Sequence, residues 1–213
     1  WFNHQGTQQS PGSKLISVSG DCKQPGIYEY PFGVSVLQIL QDCGAEQVQA
    51  VQIGGPSGQL IPPAEFHRKL AFEDLATGGS FMVFNESRKL LDVIQNFSAF
   101  FQHESCGFCT PCRVGTSLLV KQLDKIMVGH ATSRDMEYIK TIGLLMQQSS
   151  HCGLGSTAAN PLLDSMRRFP LVYKSRLRST GFEPSFDVDA SLEEARLATG
   201  RSDAGAHLPG GGV

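Results

Sequence analysis

The first part of the chain alternates between apolar and polar side chains, which is the pattern of half-buried β-strands. In the first predicted strand, Ile16 and Val18 fall on one side and Leu15 falls on the other with two serines. Strands are predicted at 14–20, 27–30, 48–53 and 81–84. A short amphipathic helix is predicted at 35–43, so this part should be a small α+β unit in which one helix crosses a mixed sheet.

Beyond Ser87 the apolar period changes from 2 to 3.6 residues, which predicts helices. The apolar positions of the first two helices are Leu90, Leu91, Ile94, Phe97, Phe101, Val114, Leu118, Leu119, Leu123, Ile126 and Met127, and Phe100 is also interpreted as core. A third helix should begin after Thr132, which can form a capping box with Asp135. A fourth should begin with Asn160 as its N-cap and be kinked or ended by Pro170. The second part is therefore predicted to be a small helical bundle of the four-helix type.

These two patterns divide the chain into predicted domains at 13–86 and 87–180. Residues 1–12 are interpreted as the remnant of an upstream domain, because the chain opens on Trp1 rather than on a methionine. Residues 181–213 are interpreted as a C-terminal extension with one helical run at 191–198 and a loose tail from His207.

Composition narrows the choice of partners. Charged residues make up 18% of the 213 residues, below the roughly 25% that is typical, which suggests that part of the surface contacts another protein. The formal net charge is −2 with no strongly basic stretch, so nucleic acid and anionic membranes are poor candidate partners. No apolar run reaches the length of a membrane span, and the first residues do not resemble a signal peptide.

Four of the six cysteines form one pattern, with Cys106, Cys109 and Cys112 spaced by two residues and Cys152 following 40 residues later. Iron–sulfur clusters are held by four thiolates, of which three often come from one tight loop. Each iron of a cuboidal cluster offers one outward corner, so a short loop can supply three sulfurs while the fourth comes from elsewhere. The pattern predicts a [4Fe–4S] cluster in a reducing compartment.

Other interpretations of these cysteines stay open at this point. Structural zinc also takes four cysteines, usually as two separated pairs, and a [2Fe–2S] cluster or a disulfide is a further alternative. Cys22 and Cys43 fit no ligand spacing and are interpreted as half-buried core thiols. His103 and His151 flank the motif and are interpreted as its neighbours rather than as ligands. The glycine run at 54–58 does not match a phosphate-binding loop.

Several residues next to the cysteines have expected roles of their own. Gly107 should let the loop adopt dihedral angles closed to other residues, and Pro111 should limit helical continuation before the third cysteine. Gly153 and Gly155 should let the backbone pass close to a cluster. Arg113 should offset the negative charge of a cluster.

The run Glu104-Ser-Cys-Gly-Phe-Cys-Thr-Pro-Cys-Arg113, with Cys152-Gly-Leu-Gly155, resembles the C-terminal half of the flavin-containing, NADH-oxidising subunit of respiratory complex I and its soluble relatives. The preceding stretch from 14 to about 84 resembles the β-grasp (SLBB) domain of that family. The segments at 182–189 and 203–208 resemble the diaphorase α subunit of cytoplasmic NAD-reducing [NiFe] hydrogenases.

The resemblance implies that Cys106, Cys109, Cys112 and Cys152 are the cluster ligands. It also implies that FMN and NAD(H) bind only in the full-length subunit, in an upstream domain that this sequence lacks. Electrons would then pass singly through the cluster to a small ferredoxin-like diaphorase subunit and on to a hydrogenase, in the cytoplasm. The alternatives are the same role in an NAD-dependent formate dehydrogenase or in complex I, or a zinc-stapled interaction module without redox chemistry.

Overall fold

The structure is a computed structural model that describes residues 1–178 and 188–200. The chain divides into two compact units, Trp1–Arg178 and Ser179–Val213. In the second unit the described part contains the helix α8, Val188–Thr199, which confirms the predicted helical run. The segment at 182–187 and the predicted loose tail from His207 lie outside the described residues.

The first unit contains one five-stranded mixed sheet. Its strands are β1 (Ser13–Gly20), β2 (Gly26–Pro31), β3 (Val48–Ile53), β4 (Gln59–Ile61) and β5 (Ser80–Asn85). The strand order is β2-β1-β5-β3-β4, in which β1 and β5 run parallel and the other neighbours run antiparallel. The mixed sheet was predicted, but β4 was missed. This strand has only three residues and follows directly on the glycine-rich loop at 54–58.

Helix α1 (Val36–Asp42) covers one face of the sheet. Ser35 caps it by accepting a hydrogen bond from the backbone N–H of Gln38 at 3.2 Å. The buried side chains of this first core come from the helix, from the strands and from the loop after β4. They include Ile16, Val18, Val36, Ile39, Val51, Ile61, Leu75, Phe81 and Val83.

The α-helices of the first unit other than α1 follow β5 in sequence. They are α2 (Leu90–Glu104), α3 (Thr110–Met127), α4 (Ser133–Ser149), α5 (Gly153–Thr157), α6 (Asn160–Arg168) and α7 (Pro170–Lys174). The predicted capping box of Thr132 and Asp135 is present at the start of α4. The helices share a second core with Ala50, Leu60 and Phe84 of the sheet, so the two faces of the sheet pack against different elements.

Three details of the helical prediction were wrong. Phe100 is 45% exposed rather than part of the core, because the following Phe101 takes the buried position. Val114 also faces outward, at 43% exposure. Asn160 is the first residue of α6 and not its cap. Its side-chain amide instead donates to the carbonyl of Ser57 in the glycine-rich loop, at 2.9 Å.

Helix α6 is also tied to the sheet by charged side chains. The Arg168 side chain is only 7% exposed, pairs with Glu65, and donates from Nε to Asp164 at 2.9 Å. Asp164 in turn accepts a hydrogen bond from the backbone N–H of Leu60 in β4 at 2.8 Å.

Among the described helices, none combines the length and the apolar character that a membrane span requires.

Candidate metal centre

Cys106 and Cys109 lie in the turn between α2 and α3, and Cys112 lies in the first turn of α3. Gly107 adopts a φ of +75°, a conformation that favours glycine. Cys109 is the N-cap residue of α3, and Pro111 lies in the first turn of that helix, so Cys112 is helical. The expectation that Pro111 would interrupt the helix was wrong, because proline is well suited to the first turn, where no intrahelical N–H bond is lost.

Arg113 closes this turn from the helix side. Its guanidinium donates to the carbonyl oxygen of Gly107 at 2.5 Å and to that of Phe108 at 3.4 Å. It also reaches the hydroxyl of Thr110 at 3.3 Å. A cation is therefore fixed at the edge of the cysteine loop, where its charge favours thiolate over thiol.

The fourth cysteine lies in the short connection between α4 and α5. Cys152 is the N-cap residue of α5 and is exposed. The helix α5 was missed by the sequence analysis because its residues, Gly-Leu-Gly-Ser-Thr, include two poor helix formers at its start.

Two contacts bring the two cysteine segments together. The backbone N–H groups of His151 and Cys112 stabilise the thiolate of Cys109 and hold its pKa below the usual value of 9.0. The rings of Phe108 and His151 meet edge to face, with centroids 5.6 Å apart. The residue next to Cys152 thus contacts the loop that carries the other three cysteines.

Gly155 allows a third close approach. A β-carbon on this residue would lie 2.9 Å from Cβ of Cys112 and 2.7 Å from Cβ of Ser150, so a side chain cannot be accommodated without displacement. Gly155 thus lets the backbone pass close to Cys112 and Ser150, whereas its expected closeness to a cluster stays a prediction. At Gly153 a β-carbon would meet no atom within 4 Å, so close packing does not require glycine at that position.

The four cysteines differ in exposure: Cys106 and Cys152 are exposed, Cys109 is half-buried and Cys112 is buried. Within the described ranges, no three His, Cys, Asp or Glu side chains form a group that could hold a single metal ion. The thiols instead lie around two neighbouring segments, and a cuboidal cluster takes one thiolate at each of its irons.

Two serine hydroxyls at this site were not identified from the sequence. Oγ of Ser105 lies 3.2 Å from Sγ of Cys112. Oγ of Ser150 is buried and has no hydrogen-bond partner within the described part of the chain. Each serine stands one or two residues before a cysteine, and this position was the available signal. The residues fit a cluster, because four thiols are available and a buried hydroxyl beside them lacks an acceptor or donor.

The other residues considered in the sequence analysis are not part of the four-cysteine site. Cys43 is buried in the sheet core, where burial and the adjacent Cys22 raise the pKa of its thiol to about 11. This agrees with a structural role for both cysteines. His103 is exposed in the last turn of α2. The run at 54–58 is the loop between β3 and β4 and does not precede a helix.

Comparison with known proteins identifies the kind of metal site that this region of the chain forms. Residues 92–176 match the family described as the NADH-ubiquinone oxidoreductase-F iron-sulfur binding region. This match indicates a [4Fe–4S] cluster, and the matched region includes all four cysteines of the pattern.

Individual proteins related to this chain are subunits of NAD-linked oxidoreductases. The chain is 42% identical over 195 residues to the NAD-reducing hydrogenase HoxS subunit alpha of Cupriavidus necator, covering 90% of this chain and 32% of that protein. It is 30% identical over 196 residues to an NADH-quinone oxidoreductase subunit from Mycobacterium bovis, covering 86% of this chain and 44% of that protein. The chain is homologous to both of these proteins.

The fold agrees with these relationships. A crystal structure of an NAD+-reducing [NiFe]-hydrogenase in the H2-reduced state matches with a TM-score of 0.81 and 43% identity, covering 98% of this chain and 37% of that one. The chain therefore spans less than half of each of these three relatives.

Proposed function

We propose that Cys106, Cys109, Cys112 and Cys152 hold the [4Fe–4S] cluster. The observation that carries this proposal is the approach of the two cysteine segments, in which the rings of Phe108 and His151 meet with their centroids 5.6 Å apart. The close contact of Gly155 with Cys112 supports it independently. Backbone N–H donors and the Arg113 guanidinium both favour the deprotonated sulfur that a metal ligand must present.

The chain then serves as an electron relay in an NAD-linked oxidoreductase. When bound, such a cluster accepts and releases one electron at a time. The protein residues hold it at the surface of the helical part, since Cys106 and Cys152 are both exposed and leave this end open to a partner. The relatives named above are subunits of hydrogenases and of quinone reductases that use NAD(H).

The same proposal includes the type of each domain and the location of the FMN and NAD(H) sites. The strand order β2-β1-β5-β3-β4 with one crossing helix supports a β-grasp (SLBB-like) domain at 13–86. The packing of α2, α3, α4 and α6 supports a four-helix-type domain at 87–180. FMN and NAD(H) are assigned to an upstream part of the full-length subunit, with residues 1–12 as its remnant and 181–213 as an extension.

The redox partner of this chain is proposed from the relative of highest identity named above. At 42% identity to a hydrogenase subunit, the role is best supported in a cytoplasmic NAD-reducing hydrogenase. The cluster passes electrons to a small ferredoxin-like iron–sulfur subunit and through it to the hydrogenase. The identity of 30% to a quinone oxidoreductase subunit supports the same role in complex I less strongly.

The first test is metal analysis of the anaerobically purified chain, with electron paramagnetic resonance after dithionite reduction. We expect about four irons per chain and a spin-half signal. Cys109→Ala should lose both, because it removes one of four ligands from the half-buried part of the site. Cys22→Ala is the matched control, since Cys22 is a half-buried cysteine packed in the other core and should leave iron content unchanged.

Two results would contradict the proposal. Full iron content in Cys109→Ala would show that the cluster does not depend on this thiol. One zinc per chain without iron uptake would instead identify a zinc-stapled interaction module.

A further inference from the structure

The hydroxyl of Ser105 lies within hydrogen-bond distance of the sulfur of one of the proposed ligands. Its oxygen accepts a hydrogen bond from the backbone N–H of Gly107 at 3.4 Å and lies 3.2 Å from Sγ of Cys112. A thiolate has no proton to donate. Once Cys112 is a ligand, the hydroxyl of Ser105 must be the donor in this pair.

Ser150 approaches the site from the opposite segment. Its backbone N–H closes the last turn of α4 by donating to the carbonyl of Met146 at 3.1 Å, which fixes the residue in place. Its Oγ is 2.6 Å from the position that a β-carbon on Gly155 would take, and Cβ of Cys112 is 2.9 Å from the same position. The hydroxyl and the Cys112 side chain therefore lie next to each other across the same glycine.

The hydroxyl of Ser150 is buried without a partner among the described residues. A buried hydroxyl normally has a hydrogen-bond partner, and one without calls for an explanation such as an absent ligand. A sulfur atom of a cluster ligated by Cys112 is an acceptor that would meet this need. The nearby Ser156 differs, because its hydroxyl donates to the carbonyl of Gly153 at 3.2 Å.

We infer that Ser105 and Ser150 are positioning residues whose hydroxyls donate hydrogen bonds to the sulfur atoms around Cys112 and thereby raise the reduction potential of the cluster. The inference rests on the proposed function, because it requires a cluster at these cysteines. Reduction adds negative charge to the sulfurs, so donors stabilise the reduced form more than the oxidised form. The serines are not ligands, and the cluster should assemble without either of them.

The test is a redox titration of the iron-loaded chain, followed by electron paramagnetic resonance. Ser105→Ala and Ser150→Ala should each keep full iron content and titrate at a lower midpoint potential than the wild type. We expect at least about a threefold change per variant in the ratio of oxidised to reduced cluster at a fixed potential. The double variant should shift further than either single variant.

Two further variants make the result specific. Ser105→Thr keeps the hydroxyl and should restore the wild-type potential. Ser156→Ala removes the same group from a neighbouring position whose hydroxyl is already paired within α5, and it should not shift the potential.

The failure of this inference and the failure of the proposed function give different results. If the wild type takes up no iron, or if Cys109→Ala keeps it, the proposed function is wrong. Full iron content with unchanged potential in both alanine variants overturns only the role of the serines. Loss of iron from either alanine variant also contradicts the inference, because all four thiolates remain.

A measurement on the wild type does not depend on any variant. Resonance Raman spectra in H2O and D2O should show iron–sulfur stretching bands displaced by deuteration, because the serine hydroxyls that donate hydrogen bonds to the cluster sulfurs carry exchangeable protons. Identical spectra in the two solvents would overturn the inference.

Discussion

Gly155 illustrates how a single residue determines whether the two cysteine segments can meet. The atoms that would clash with a side chain there are Cβ of Ser150 and Cβ of Cys112. A β-carbon is fixed by its own backbone, so neither atom can rotate away as the end of a long side chain could. The glycine is therefore required by contact and not by an unusual φ angle, since Gly155 is not among the glycines with positive φ.

We predict that Gly155→Ala lowers iron content and destabilises the chain by about 1–3 kcal/mol, the usual cost of overpacking. Gly153→Ala is the matched control two residues away, where a β-carbon meets open space and the substitution should leave iron content unchanged. Iron analysis and denaturant unfolding of the two variants measure the difference. Equal iron content in Gly155→Ala and the wild type would show that the segments do not need this close contact.

At the scale of single elements, α4 begins with interactions that were predicted from the sequence. Asp135 accepts hydrogen bonds from the backbone N–H and the hydroxyl of Thr132 at 2.7 and 2.8 Å, and Lys125 of α3 approaches the same carboxylate at 2.6 Å. Burial opposes ionisation of Asp135, but the ion pair and these hydrogen bonds outweigh it and lower its pKa below 3.8. The carboxylate thus stabilises both the start of α4 and its packing on α3.

Asp135→Asn should lower the free energy of unfolding by about 1–2 kcal/mol at pH 7. Because the folded-state pKa is depressed, this stability is present in full above the ordinary value of 3.8 and is lost as the pH falls through the lower folded-state value. The difference between variant and wild type should therefore shrink in acid. Urea unfolding at pH 7 and at successively lower pH measures it.

The control for this prediction lies on the same helix. Glu137→Gln breaks an exposed pair with Lys140 and should cost less than about 0.5 kcal/mol. A loss for Asp135→Asn that stays constant down to about pH 2 would contradict an ionic origin.

The sequence predicted the long elements well and the short ones poorly. In α2, five apolar positions repeat at helical spacing, and an amphipathic pattern of that length has few alternative explanations. β4 and α5 have three and five residues, too few for a period to show, and both adjoin glycines that normally mark loops. These two elements are held by tertiary contacts, such as the bond from Leu60 to Asp164, whose partners lie 104 residues apart in the chain.

The candidate site shows the same division. Its four cysteines were found because their spacing is local. Ser105 and Ser150 were missed because their significance depends on which side chain each one faces, and that is decided by the meeting of α3 with α5. Asn160 was misassigned for a related reason: its Oδ1, which a cap would use as an acceptor, accepts from Nε2 of Gln147 at 3.2 Å, and its side-chain N–H donates to the carbonyl of Ser57.

At the scale of the whole molecule, Arg168 links the helical part to the sheet. Its guanidinium is shared between Asp164 of its own helix and Glu65 near the end of β4, and it also donates to the side chain of Gln59 at 3.1 Å. Only 7% of its side chain is exposed, and its removal would leave Asp164, at 11% exposure, with the exposed Arg167 as its remaining cation. Loss of one partner from a buried pair is strongly destabilising.

Arg168→Ala should lower the free energy of unfolding by about 3 kcal/mol. Arg167→Ala provides the comparison, because Arg167 pairs with the same Asp164 but is 69% exposed, and its removal should cost less than about 1 kcal/mol. Denaturant unfolding of both variants measures the contrast. Equal effects would show that burial does not govern the strength of this connection.

The late position of β5 in the sequence affects how the sheet folds during translation. β1 is an interior strand of the sheet, but the strand that pairs with its second edge comes about 60 residues later in the chain. During synthesis at about 5–20 residues per second, β1 can pair with β2 early. Its other edge stays unpaired for several seconds more, until β5 (80–85) has left the ribosome. A nascent chain that pauses in that interval presents a bare strand edge to its neighbours, and such edges promote aggregation. Translation speed across 40–85 should therefore influence the yield of folded protein more than speed anywhere in the helical part.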